Sequence, residues 1–151
     1  MAKILIVDDE PFMVEMLQTF LGINGYETVG AYSGQDGIVL SQIESPDAMI
    51  LDLMLPDIEG FEVCRALRSI SVTERVPVLI LSARTTQADK DRAMSAGANG
   101  YLTKPVRMAE LLGELRRVIE KIPVTPPTTT TIRNSSPNLP PSEGSSSVAS
   151  G

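Results

Sequence analysis

The sequence predicts an α/β domain, a parallel β-sheet with helices packed on both faces. Three observations predict it. Short strand signals at 3–7, 27–30, 47–51, 78–81 and 99–102 alternate strictly with longer stretches of helical period. Runs such as Ile4-Leu5-Ile6-Val7 and Val78-Leu79-Ile80-Leu81 are apolar without interruption, as expected of strands buried on both faces rather than half-wet ones. Finally, the polar groups capable of chemistry stand where these runs stop: Asp8-Asp9, Asp52, Ser82 and Lys104. A parallel sheet delivers the C-terminal ends of its strands to one edge, and open α/β sheets bind their ligands there.

The elements follow in order. Residues 3–7 form the first strand. Pro11 opens a helix on which Phe12, Met13, Met16, Leu17, Phe20 and Leu21 repeat at helical spacing, and Gly22 or Gly25 closes it. A short strand at 27–30 comes next. Ser33 caps a second helix whose inner face is expected to carry Ile38, Val39 and Ile43, ending before Pro46. Residues 47–51 make the central strand, and Pro56, Asp57 and Gly60 mark a loop into a third helix reaching about Arg68. Pro77 precedes the strand 78–81. A small Ala-rich helix runs from Thr86 to Ala96 and stops at Gly97, before the last strand at 99–102. Met108, Leu111, Leu112, Leu115, Val118, Ile119 and Ile122 then trace one face of an amphipathic helix. Five strands and five helices with right-handed crossovers give three layers, helix on sheet on helix.

Composition divides the 151 residues into a domain at 1–122 and a segment at 123–151. Proline, threonine and serine supply 18 of the last 29 residues, too few large side chains to offset the entropy of ordering, so this segment is expected to be a disordered tail or linker. Its two charges, Arg133 and Glu143, cancel, and the net charge of −6 therefore belongs to the domain. An acidic domain without a basic stripe is a poor ligand for nucleic acid or an anionic membrane, so protein partners are expected. The chain has no histidine, which excludes imidazole catalysis and a phosphohistidine of its own, and a single cysteine, Cys64, which excludes an internal disulfide. No apolar run is long enough for a membrane span and the N-terminus does not read as a signal peptide; a cytoplasmic location is expected.

Each candidate site residue has a plain reading beside the chemical one. One acid ahead of Pro11 suits a helix N-terminus. Two adjacent acids facing a third, Asp52, on the central strand do not: two carboxylates roughly 4 Å apart repel by about 4 kcal/mol at an effective dielectric near 20. A hard divalent cation bound through oxygen relieves that repulsion, and Mg²⁺ is typically held by one or two carboxylates plus water. Ser82 serves equally as a helix cap or as a donor to a phosphoryl oxygen. Lys104 can be a solvated turn lysine, or an ammonium pairing with the acids or with a phosphoryl dianion. The Lys104-Pro105 bond is a candidate cis peptide that would aim the lysine inward. Tyr101 is, by itself, a core aromatic.

Taken jointly, ILIVDDEP at 4–11, MILDLMLPDIEG at 49–60, VPVLILSA at 76–83 and AGANGYLTKPV at 96–106 resemble the receiver domain of two-component response regulators, in order and spacing, over about residues 2–122. The resemblance implies a flavodoxin-like doubly wound sheet of strand order 2-1-3-4-5. It implies that Asp52 is the phosphoacceptor and that Mg²⁺ is held by Asp8, Asp9, Asp52 and the backbone carbonyl of Met54, with Asp9 the direct ligand and Asp8 acting largely through water. Ser82 takes the place of the switch hydroxyl, Lys104 that of the phosphate-pairing lysine and Tyr101 that of the switch aromatic. The implied donor is a histidine kinase or histidine phosphotransfer protein, and the implied output is a downstream protein, a fused effector domain or a phosphorylation-dependent dimer. Ala98-Asn99-Gly100 lacks the acidic pair of the large winged-helix subgroup, which argues against that subgroup's salt-bridged dimer. Met54 and Arg84 are similar to the variable positions of receivers with a long-lived phosphoryl group, implying slow self-dephosphorylation. Two versions stay open, a stand-alone regulator and the receiver part of a longer one.

Two other classes compete. A Mg²⁺-dependent phosphohydrolase with Asp52 as nucleophile would want an acid two residues on, where Met54 stands. A flavin carrier would want a hydroxyl- and glycine-rich loop after the first strand, where this chain has acids.

Overall fold

The computed structural model describes residues 1–121; Ile122 and the segment 123–151 lie outside the described residues. Ten elements alternate: β1 (Lys3–Val7), α1 (Pro11–Ile23), β2 (Glu27–Ala31), α2 (Gly34–Glu44), β3 (Ala48–Leu51), α3 (Gly60–Ser69), β4 (Val78–Ser82), α4 (Gln87–Ala96), β5 (Gly100–Thr103) and α5 (Met108–Lys121). The strands form one parallel sheet in the order β2-β1-β3-β4-β5, the doubly wound arrangement expected.

Alternation along each strand divides the core. Ile4, Ile6, Ile50, Leu79 and Leu81 point to the face covered by Val14, Leu17 and Leu21 of α1 and by Leu111, Leu115 and Val118 of α5. Leu5, Val7, Met49, Leu51 and Ile80 point to the other face, against Phe61, Val63, Cys64 and Leu67 of α3 and Ala93 and Ala96 of α4. Side chains such as Leu5 and Leu79 are fully buried, each contributing about 1.5–3 kcal/mol by leaving water.

Most element ends match their sequence signals. Pro11 occupies the first turn of α1, Thr86 accepts from the amide of Asp89 at the start of α4, and Gly97 ends α4 at φ +113°, a backbone region that favours glycine. Ser33 caps α2 as expected, but the inner face of α2 differs from the expectation. Val39 and Ile43 are exposed, and the buried positions are Gly34, Gly37 and Ser41. The reason is proximity: a Cβ at Gly37 would crowd the Val7 side chain at 3.0 Å, so small residues lie nearest the sheet, Ile38 packs beside them on the core, and Val39 and Ile43 turn outward. On α1, Phe12 likewise points to solvent, and Val14, Leu17 and Leu21 carry the burial.

Candidate functional site

Register builds the site. Val7 of β1 lies beside Leu51 of β3, so Asp8 and Asp52 leave the sheet at the same level, with the Asp52 amide donating to the Val7 carbonyl at 3.0 Å. Ser82 of β4 pairs with Thr103 of β5, and the Lys104 amide donates to the Ser82 carbonyl at 2.9 Å. Four non-adjacent stretches thus reach one edge because four strands end there together. The Lys104-Pro105 bond is cis.

The side chains close on one another. Lys104 Nζ donates to Asp8 Oδ2 at 2.8 Å and to Asp52 Oδ2 at 3.2 Å. The other oxygen of each acid is held by the backbone two residues on: Glu10 N–H donates to Asp8 Oδ1 at 3.0 Å and Met54 N–H to Asp52 Oδ1 at 3.1 Å. Asp8 and Asp52 are buried, and Asp9 is exposed at the mouth. Carboxylate oxygens of Asp8, Asp9 and Asp52 all lie within 4.8 Å of one another. Burial lowers the Lys104 pKa, but the hydrogen bond to Asp8 and the nearby charge of Asp52 outweigh it and leave the ammonium above its ordinary 10.5.

One ammonium against three acids leaves the cluster net negative. With hard oxygen donors converging and an exposed acid beside them, the donor set is compatible with a small divalent cation.

Ser82 is fully buried at the end of β4, and its Oγ accepts from Arg84 N–H at 3.3 Å. Thr86 is the cap of α4, so Ser82 is not needed for that purpose. Tyr101 is half-buried against the core of the α3 and α4 face, and its hydroxyl donates to the Arg84 carbonyl at 2.8 Å. Burial, joined by the charge of Asp89, raises its phenol above the usual 10.0. The structure therefore brings Asp8, Asp9, Asp52 and Lys104 into one cluster and links Ser82 and Tyr101 through Arg84. The exposed Met54 side chain stands outside the cluster, and only its amide touches Asp52.

Two groups of contacts had no sequence signal. Asp57, legible only as a loop residue, accepts from the amides of Gly34 and Gln35 at 2.8 and 2.9 Å. Glu59 pairs with Arg92 at 3.1 Å and lies 3.9 Å from Arg84, while the Arg92 guanidinium sits 4.1 Å from the centre of the Phe61 ring.

Comparison with known proteins agrees with this geometry. The model of the response regulator receiver domain matches residues 4–116. Response regulator MprA of Mycolicibacterium vanbaalenii is 38% identical over 119 residues, which are 79% of this chain and 51% of that protein; the chain spans about half the length of the curated relatives it matches. A putative response regulator from Chloroflexus aurantiacus is 35% identical with a TM-score of 0.75, covering 79% of this chain and 98% of that one. The receiver domain of a sensor histidine kinase from Pseudomonas aeruginosa, with a magnesium ion coordinated in its active-site cleft, is 31% identical with a TM-score of 0.73 over 79% of this chain and 98% of that one. A family match over most of the chain, on a fold with the same strand order, places the chain in the response regulator receiver domain family.

Proposed function

We propose that this domain is a phosphoacceptor module of two-component signalling, taking a phosphoryl group onto Asp52 from a phosphohistidine on a partner. The observation that carries the proposal is the Asp52 carboxylate, buried at the end of the central strand, clustered with Asp8 and Asp9 and bonded to Lys104 at 3.2 Å. Because these 151 residues contain no histidine, the donor lies outside them. It is a histidine kinase or a histidine phosphotransfer protein.

Asp8, Asp9, Asp52 and the Met54 carbonyl would hold Mg²⁺, which when bound supplies positive charge beside the transferring group. The Asp52 amide ties its backbone to Val7 and the Met54 N–H holds Oδ1, leaving Oδ2 on Lys104. An Asp52 oxygen forms a bond to phosphorus as the phosphorus–nitrogen bond breaks, and the leaving imidazole nitrogen keeps the electron pair. Phosphoryl transfer needs positioning and charge neutralisation more than covalent assistance. Lys104, already aimed at Asp52, pairs with the phosphoryl oxygens. Ser82, whose oxygen accepts from Arg84, keeps its own proton to donate to one of them. Drawing Ser82 toward the phosphoryl group pulls on the β4–α4 loop, and Tyr101, bonded to that loop, repositions with it. The α4–β5–α5 surface is thereby switched for a downstream protein, a fused effector domain or a second copy.

The domain acts as a signalling module rather than as a turnover enzyme: the position two residues past Asp52 is Met54 and offers no second acid for a phosphohydrolase. Its acidic surface suits protein partners and not nucleic acid. No helix among the described residues is long and apolar enough to cross a membrane, in keeping with a cytoplasmic location. With Met54 and Arg84 at the variable positions, self-dephosphorylation is slow; a phosphoryl half-life of seconds after donor removal would contradict that. The central test is incubation of the full chain with Mg²⁺ and a small acyl phosphate, read by intact mass. One phosphoryl group should be added, and Asp52→Asn should abolish the addition. Labelling that survives in the Asn variant overturns the assignment.

A further inference from the structure

Asp57 stands outside the acidic cluster and faces the N-terminus of another helix. It lies five residues past Asp52, in the loop between β3 and α3, and its carboxylate accepts from the first two amides of α2 at 2.8 and 2.9 Å. Ser33 already serves α2 as its ordinary cap by accepting from Asp36 at 3.1 Å. The two caps differ in kind: Ser33 is local to its helix, whereas Asp57 reaches across 22 and 23 residues and ties a loop to it. The loop is otherwise held at its far end. Gly60 N–H donates to the Leu53 carbonyl at 3.0 Å, and a Cβ on Gly60 would lie 2.5 Å from the Asp52 carbonyl. Ile58 packs so close to Gly34 that a Cβ there would meet it at 2.4 Å. Between these anchors runs Met54, whose N–H holds Asp52 Oδ1.

We propose that Asp57 is a positioning residue for phosphoryl acceptance: by bonding the β3–α3 loop to the N-terminus of α2, it keeps the Met54 amide on Asp52 and so fixes which oxygen faces the donor. The inference rests on Asp52 being the acceptor. The backbone bonds that hold this carboxylate also keep its pKa below the ordinary 3.8, so it is ionised in its capping role at neutral pH. A displacement of about 1 Å at a reacting group costs up to a hundredfold in rate, and a loop freed at one of its anchors can shift that far.

The experiment compares the full chain with its Asp57→Ala, Asp57→Asn and Ser33→Ala variants, using Mg²⁺ and a small acyl phosphate. Phosphorylation rate, melting temperature and the amide resonance of Met54 are measured for each. Ser33→Ala removes a cap from the same helix without touching the loop, so it reports the cost of a weaker α2 alone. Both alanine variants should melt several degrees lower. Only Asp57→Ala should slow phosphorylation, by about tenfold, and move the Met54 resonance. Asp57→Asn keeps an acceptor oxygen for one of the two amides and should recover part of the rate. An Asp57→Ala rate equal to wild type, or a loss matched by Ser33→Ala, overturns the inference. If Asp57→Ala does not fold, Asp57→Asn decides: an unchanged rate with an unmoved Met54 resonance overturns it. Failure of the underlying reading looks different, because the wild-type chain would then take no phosphoryl group or would keep taking it after Asp52→Asn.

Discussion

Replacing Lys104 by methionine keeps most of the side-chain volume and removes the one cation that, among the described residues, is bonded to the acid cluster. At an effective dielectric near 20, the 2.8 Å contact with Asp8 and the 3.2 Å contact with Asp52 correspond to attractions of about 6 and 5 kcal/mol before desolvation. The substitution deletes both and leaves the carboxylates of Asp8 and Asp52, within 4.8 Å of each other, to repel by about 3.5 kcal/mol. Part of this is offset, because a half-buried ammonium no longer has to be desolvated. Breaking buried pairs from one side costs about 3–5 kcal/mol, and we expect Lys104→Met to lose that much at neutral pH. The assay is urea unfolding with and without Mg²⁺. Without the cation the variant should be much the weaker; with it the deficit should narrow, since a ligand at 100 times its Kd adds about 2.7 kcal/mol and the variant's more negative cluster binds it more tightly. The pH profile carries a second check. A folded pKa raised above 10.5 means that the ammonium's contribution is complete below 10.5 and fades as pH climbs through the folded value; wild type should show that alkaline decline and the variant should lack it. A loss below about 1 kcal/mol, insensitive to Mg²⁺, would refute the reasoning, because it would mean that the acids are neither crowded nor dependent on Lys104.

Three further perturbations test other parts of the fold. Arg68 donates to the carbonyls of Glu74, Val76 and Gly97 and to Asn99 Oδ1; lysine cannot serve this planar set, so Arg68→Lys should cost about 1.5–3 kcal/mol in chemical unfolding. Glu59→Gln weakens the clamp on Arg84 and Arg92; being exposed, it should lose less than about 1 kcal/mol yet speed amide exchange across 84–92. Cys64 is buried and its thiol is pushed up to about 11, so a thiol reagent at neutral pH should label it only as fast as the domain opens globally, a rate that hydrogen exchange measures independently.

What was legible in the sequence follows from which forces leave a periodic trace. Uninterrupted apolar runs announced β1, β3 and β4, and strict alternation announced the parallel sheet, because burial on both faces forbids polar residues. The convergence of Asp8, Asp52 and Lys104 followed from the same fact: strand ends fall in register, so residues 44 and 96 positions from Asp8 return to it. Hydrophobicity marks only part of the inner face of α2: Ile38 packs on the core, while Val39 and Ile43 are exposed. Where a helix presses against a strand closely enough that a Cβ on Gly37 would crowd Val7, size competes with apolarity. Asp57 and the Glu59–Arg92 pair were not legible for a different reason. Asp57 and Glu59 are exposed and their partners stand 22 to 33 positions away, and an exposed charge obeys no period; its partner is decided only once the backbone has placed both ends. The fold and the acid cluster are therefore fixed by burial. The devices that aim the cluster and restrain its loops are fixed by tertiary geometry, and the measurements that perturb Asp57 and Glu59 reach a level of the molecule that substitutions in the core do not.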